Sequence, residues 1–426
     1  MTHHLHKKIF FGSMIAIAMI FANINISFAI NHTKTSISQP KNSFTIFLQS
    51  IAAIARKEGI SQATIDTHLF SLKRPLATAI AKDRSQSEFI LSFRTYLRRT
   101  ATLQRIARAK QYAIKYNNLL LAAEKKYQVP PEIILAFWAL ESTFGDNMGK
   151  SPVILSLATL AYEGRRRKFF TNELIAALKI IDDNHFQPSS KTDFVSSWAG
   201  AMGQVQFMPS TYLRYAVDGD GDGIRDLWHN PADIIFSTAN FLSKLGWDKK
   251  KSWGQIITLP NNFPYHHIHD KNYRSFHYWR GLGVKDRRGN AIGDHFFHKA
   301  SIIIPMSAKG PVFLVENNFA IIKKWNNSNF FALSIGLLSD YIAGRLTDPL
   351  VINNNIPDWQ TSDILTIQKN LQRLHYLDKD QPIDGVLGPI SRRAIQQYQN
   401  QHGMIADGYP SKELFTILNN DVKFQP

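Results

Sequence analysis

The chain has 426 residues, enough for two or three domains with a sizeable core, and at 44% hydrophobic and 12% aromatic it is a globular and not a disordered sequence. Its formal net charge of +17 admits an anionic partner, whether wall polymer, membrane surface or nucleic acid, without choosing among them. With no cysteine, a disulfide framework, thiolate chemistry and a Cys-ligated zinc site are all excluded.

His6, Lys7 and Lys8 precede an apolar run from Ile9 to Phe21, and Ser27-Phe28-Ala29 follows as a small-x-small cleavage pattern. The run is too short to cross a bilayer comfortably, so residues 1–29 are expected to be a secretory signal peptide cleaved after about Ala29; an uncleaved anchor is the alternative. Without a cysteine after the run the chain is not a lipoprotein. Export makes nucleic acid an unlikely target despite the basic charge. Residues 30–43 are polar, with Ser, Thr, Asn and Pro, and read as a linker.

From 44 to 345 the pattern is mostly helical. Phe47, Leu48, Ile51, Ala52 and Ala55 recur at helical spacing, and Gly59 stops that helix. Further helices are predicted near 86–116, 118–127, 131–143, 171–181, 208–216, 232–245 and 329–344. Short apolar runs at 301–305 and 312–315 read as strands inside a stretch rich in Asn, His and Gly. Residues 346–360, with Pro349, Asn353-Asn354-Asn355 and Pro357, read as a second linker. A module at 361–420 follows, with three helices separated by Asp384-Gly385 and Asp407-Gly408 turns; it is too small to hold an active site and reads as a binding module.

The most telling chemistry lies in the helix of 131–143. Pro130 and Pro131 suit its first turn and Gly145 its C-cap, while the run Ile133 to Leu140 is wholly apolar and ends on Glu141. Burial disfavours a carboxylate, and so does the negative end of the helix dipole, so Glu141 is expected to hold its proton toward neutral pH. Such a group can act as a general acid on a glycosidic oxygen. A glutamate on the polar edge of a helix is the plainer alternative. A second constellation is Ser197-Trp198-Ala199-Gly200-Ala201-Met202-Gly203-Gln204-Val205-Gln206-Phe207-Met208-Pro209-Ser210. Its small residues let a polymer approach the backbone, and Gln206 offers both a donor and an acceptor.

Asp218, Asp220 and Asp222, with Gly223 at position six, follow the EF-hand spacing, and Ile224 would offer its carbonyl. His229 stands where the closing Glu belongs, and Asp233 is a substitute. The loop is either a structural calcium site or a polar turn facing water. The histidines His266, His267, His269, His277, His295 and His298 have no organising spacing and read as a solvated loop. Arg165-Arg166-Arg167-Lys168 reads as a solvated face that could also attract carboxylates.

Glu141-Ser142-x-Phe144-Gly145 followed by Gly200-Ala201-Met202-Gly203-x-x-Gln206-Phe207-Met208-Pro209-Ser210 resembles the lytic murein transglycosylases of the B type. The likeness extends over 44–345 and includes Gln86-Ser87-Glu88-Phe89, Gly246-Trp247, Trp253-Gly254 and Trp325-Asn326-Asn327-Ser328. The resemblance implies a lysozyme-like fold, mainly α with a small β component, and cleavage of peptidoglycan without water to leave 1,6-anhydromuramoyl ends. Glu141 would be the sole acid/base, with Tyr96, Ser197, Gln206, Phe241, Trp325 and Asn326 around the substrate. Trp325 and Phe241 replace tyrosines usual in the family, which puts any hydrogen bond from those phenols in doubt. The C-terminal module resembles the small three-helix peptidoglycan-binding domain. No cofactor would be needed, calcium in the Asp218 loop being structural if bound, and the protein is expected to be a periplasmic monomer acting on glycan strands. A catalytically inert wall-binding scaffold and a hydrolytic muramidase are the competing readings; the latter needs a second carboxylate.

Overall fold

A computed structural model describes residues 43–85, 91–184, 194–268, 272–293, 298–350 and 352–423. The expected signal segment, Gln86-Ser87-Glu88-Phe89, His269 and His295 lie outside the described residues.

The N-terminal half is helical. α1 (Ser43–Lys57) leads into a single turn, α2 (Gln62–Thr64), continued by a π-helical turn, then α3 (Ala77–Ser85). The helix expected over 86–116 is interrupted. Ser92 caps α4 (Phe93–Thr100) and Thr102 caps α5 (Leu103–Lys115), each hydroxyl accepting an N–H of its own first turn. α6 (Asn117–Tyr127) and α7 (Pro131–Ser142) follow, and α7 packs against α5, α6 and later helices α11 (Pro231–Leu245) and α14 (Asn329–Ile342). Ten of its twelve residues are buried, so its apolar circumference is that of a central helix. α8 (Val153–Glu163), which the sequence reading passed over, is apolar on nearly every face, so no amphipathic period marks it. It pairs with α9 (Arg167–Asp182).

Two short strands, β1 (Ser151–Pro152) and β2 (Val195–Ser196), pair antiparallel and bring the segment after Ser196 back beside the end of α7. α10 (Pro209–Tyr215) and α11 complete this half. A five-stranded antiparallel sheet follows, ordered β4-β6-β7-β3-β5, from β3 (Gly254–Thr258), β4 (Arg274–Ser275), β5 (Lys285–Asp286), β6 (Lys299–Ile303) and β7 (Val312–Val315). β6 and β7 were expected; β3 was not. One short helix, α12 (Phe276–Gly281), lies within this region. Trp279, Phe276, Ile302 and Leu314 build a separate core on one side of the sheet, while Phe313, Val315 and Ile303 face the main helical core. The chain then returns to the helical body through α13 (Asn317–Trp325) and α14.

The segment 346–360, read as a linker, runs along the body. Arg94 donates to the carbonyls of Asn353 and Ile356 and pairs with Asp358 at 3.1 Å, and Ile356 is buried. Beyond it α15 (Thr361–Arg373), α16 (Pro389–Gln401) and α17 (Lys412–Lys423) enclose a third core around Leu371, Ile395 and Leu414. Gln368 and Gln399 explain the two Asp-Gly turns. Each carboxamide oxygen accepts the glycine N–H, at 2.8 Å in both turns, and each amide donates to the aspartate. The second turn also fastens this unit to the sheet region. Asp407 accepts from Ser307 and from Ala308 N, and the Tyr409 hydroxyl donates to Ile304 O at 2.8 Å.

Candidate active site

Glu141 occupies the last turn of α7 and is 7% exposed. The helix ends at once after it. Thr143 and Phe144 both take left-handed backbone, with φ of 54° and 58°, and Gly145 follows at 94°. Two non-glycine residues in this region are costly, and strain of this kind collects where a segment is held for function. Contacts from α5 and from within the turn hold this backbone. Arg105 of α5 donates to Thr143 Oγ1 at 2.9 Å, and Arg108 pairs with Asp146. Asn147 N donates to Ser142 O, and Gly145 N to Ser142 Oγ.

The loop after β2 forms the facing wall. Ser196 bridges Met202, and Met202 bridges Phe207, so the segment folds into a tight antiparallel turn. Ser197 Oγ accepts Ala201 N at 3.0 Å. Gly203 sits at φ 66°, and a Cβ there would lie 2.6 Å from Leu227 O, so only glycine fits. Gln206 is left-handed at φ 52° and is 9% exposed. Its amide donates to Met148 O at 3.1 Å and Gly203 O at 2.8 Å. The donors proposed for a sugar are therefore spent on the protein, and the carboxamide oxygen is what Gln206 has left to offer. The same bond to Met148 ties the glutamine turn to the segment that follows Glu141.

Three positioning residues were not legible in the sequence. Gln204 accepts the Trp138 indole N–H at 2.7 Å and donates to Trp228 O at 2.6 Å, with its side chain pressed against Gly145. It thereby locks the loop onto α7. Glu173, 4% exposed, accepts from Ser210 N and Ser210 Oγ and so anchors the start of α10. Arg105 is the third. None carries a local signal, because each acts on a residue more than thirty positions away.

Burial pushes the Glu141 acid from 4.5 up to about 8, and a hydrogen bond from Trp325 offsets part of the shift. Trp325 thus stands beside Glu141 and favours its charged form. Trp325 is 3% exposed, with its ring 4.4 Å from Phe137 and 4.9 Å from Phe241, centroid to centroid. Phe241 is equally buried, against Phe207 and Tyr215. The two rings, expected around the substrate, form a packed aromatic block behind the acid. Tyr96, on α4, lies close enough for Glu141 to raise its phenol pKa further above the value that burial sets. Asn326 ends α13 at 6% exposure, and its carboxamide makes no hydrogen bond among the described residues.

Asp218, Asp220 and Asp222 each place an oxygen within 4.8 Å of the others. This all-oxygen set suits a hard cation such as calcium. Gly223 N and Gly221 N hold the Asp218 carboxyl below the usual range. Asp233 departs from expectation. Its two oxygens accept Gly219 N and Asp226 N, each at 2.6 Å, so it closes the loop by binding backbone and stands outside the carboxylate cluster. Burial raises it to about 6. Ile224 N donates to Asp222, which folds the loop at the position whose carbonyl was expected to serve as ligand.

The remaining candidates serve packing. His267 hydrogen-bonds Tyr278, and His298 pairs with Glu316, so the described histidines do not converge. Arg165 and Arg166 both pair with Asp83, and Arg167 donates to Tyr162 O.

Residues 43–340 match the transglycosylase SLT domain family, and residues 360–418 a peptidoglycan binding domain. The chain is 33% identical over 236 residues to membrane-bound lytic murein transglycosylase B of Escherichia coli (strain K12), covering 54% of this chain and 61% of that protein. Among solved structures it is similar to SltB3 from Pseudomonas aeruginosa in complex with NAG-anhNAM-pentapeptide, with 34% identity, a TM-score of 0.80, and coverage of 88% of this chain and 99% of that one. It is also similar to the Escherichia coli lytic transglycosylase Slt35 in complex with calcium, at 27% identity and a TM-score of 0.57, covering 72% and 94%. With a family match across most of its length and the buried acid in place, the chain belongs to the transglycosylase SLT family.

Proposed function

We propose that this protein is a lytic transglycosylase that cleaves the β-1,4 bond between N-acetylmuramic acid and N-acetylglucosamine in peptidoglycan. The observation that carries the reading is Glu141, desolvated and held as the acid to about pH 8 inside a walled site. As acid it gives its proton to the glycosidic oxygen. The substrate's own 2-acetamido group stabilises the positive charge developing at C1. The Glu141 carboxylate left behind, steadied by the Trp325 indole, then removes the proton from the muramoyl C6 hydroxyl. That oxygen attacks C1, and a 1,6-anhydro ring forms without water. Ser197, the Gln206 oxygen, Asn326 and the Tyr96 hydroxyl are the polar groups around this path.

A hydrolase would place water with a second carboxylate. Burial and the Trp325 bond account for the Glu141 shift, and no other acid contributes to it. The buried Glu173 has both oxygens committed to Ser210. The three helices at 361–423 would act as a wall anchor, raising the concentration of the catalytic site along an insoluble polymer. Export through the N-terminal segment, action in the periplasm as a monomer, and calcium in the Asp218 loop complete the proposal. Similarity to SltB3 bound to NAG-anhNAM-pentapeptide supports the product chemistry.

Digesting purified peptidoglycan with the protein and identifying the products by mass spectrometry tests the assignment. Anhydromuropeptides are expected. Reducing muramoyl ends would replace it with hydrolysis, and no release would leave a wall-binding scaffold.

A further inference from the structure

The outer face of α5 and α6 carries the two most exposed large apolar side chains among the described residues, and a third beside them. Ile114 is 81% exposed, Leu103 74% and Leu121 51%. Leu103 and Ile114 are eleven positions apart on α5, three full turns, and so share one face of that helix. Leu121 follows on α6, beyond the turn at Tyr116. Exposed Ala107 and Ala122 lie on the same two helices, together with exposed Lys110, Lys115, Lys125 and Lys126. Glu124 is the one acid on these two helices and is partly buried. The opposite faces are occupied: α5 supports Thr143, Asp146 and Phe144, and α6 packs on α11.

We propose that this face docks on the surface of an anionic lipid bilayer. Protruding leucine and isoleucine side chains need a partner with hydrocarbon at its surface, which a glycan strand does not present. The lysines select negative charge, and a second copy of this chain would set like charges against each other. No described helix is long and apolar enough to cross a membrane, so the contact is interfacial, with the side chains reaching the headgroup boundary. Each lysine adds roughly fivefold to the affinity for such a surface. Because α5 also holds the segment after Glu141, docking would set the catalytic site at a fixed height above the lipid.

The absence of cysteine makes the test direct in the full chain. Ile114→Cys and Leu121→Cys, each labelled with an environment-sensitive fluorophore, are titrated with phosphatidylglycerol vesicles and with phosphatidylcholine vesicles. Ile54→Cys on α1, also at an exposed apolar position, reports any binding through other parts of the chain. Labels at 114 and 121 are expected to shift blue and become shielded from an aqueous quencher with phosphatidylglycerol only. The label at 54 should not respond. Adding Lys110→Glu and Lys125→Glu should weaken the response at least about tenfold. Labels at 114 and 121 that stay quenchable with phosphatidylglycerol, or a response that survives the charge reversals, would overturn the proposal.

Discussion

Replacing Glu141 with Gln should make the protein more stable while abolishing its activity. The folded acid is raised from 4.5 to about 8, so between those values the native state binds a proton that the unfolded chain releases. Stability is then lost as pH rises through this window, and the loss is complete above about pH 8. At about 1.4 kcal/mol per unit, the full penalty is about 5 kcal/mol, of which about 3 kcal/mol has accrued by pH 7 and about 1 kcal/mol by pH 5. Glutamine has the same shape, stays neutral and can still accept from Trp325. Glu141→Gln should therefore exceed the wild type by roughly 5 °C in Tm at pH 7, with the gap closing toward pH 4.5. Scanning calorimetry of both proteins across that range measures it. A gap that does not change with pH, or a less stable glutamine variant, would refute the desolvated acid. In the same variant glycan cleavage should fall by several orders of magnitude, since acid and base roles are each worth about 10²–10⁴-fold.

Trp325→Phe removes the hydrogen bond to Glu141; kcat should fall roughly tenfold or more, and the alkaline limb of kcat/KM should move to higher pH, because that bond lowers the acid's pKa. Gly203→Ala forces a Cβ against Leu227 O at positive φ and should cost about 1–3 kcal/mol, read as a lower Tm together with reduced cleavage. Calcium should raise Tm, with stability growing as the logarithm of its concentration above Kd and reaching about 2.7 kcal/mol at a hundredfold excess; Asp220→Asn with Asp222→Asn should remove the effect. Removing residues beyond 359 should weaken sedimentation with insoluble peptidoglycan by about 10²-fold or more, while turnover of short soluble glycans is retained.

Local pattern was enough for the parts of this protein whose physics is local. An apolar helix with one acid at its end already implies a desolvated carboxyl, and the helix and its buried Glu141 are as expected. The Asp-Gly turns and apolar periods of the last sixty residues likewise specify three helices. Where apolar residues wrap a helix completely, as in α8, periodicity is silent. Pairing partners were beyond reach for a different reason. Trp325 reaches Glu141 from a helix 184 positions later in the chain, Gln204 reaches Trp138 across 66, and Asp233 turns from the expected cation to two backbone amides. Residue type limits what a side chain can bond; only the packing of distant segments decides which of those bonds it makes. That is why the acid was legible in the sequence, while the groups that hold it and limit what the cleft can offer a sugar were settled by the tertiary structure.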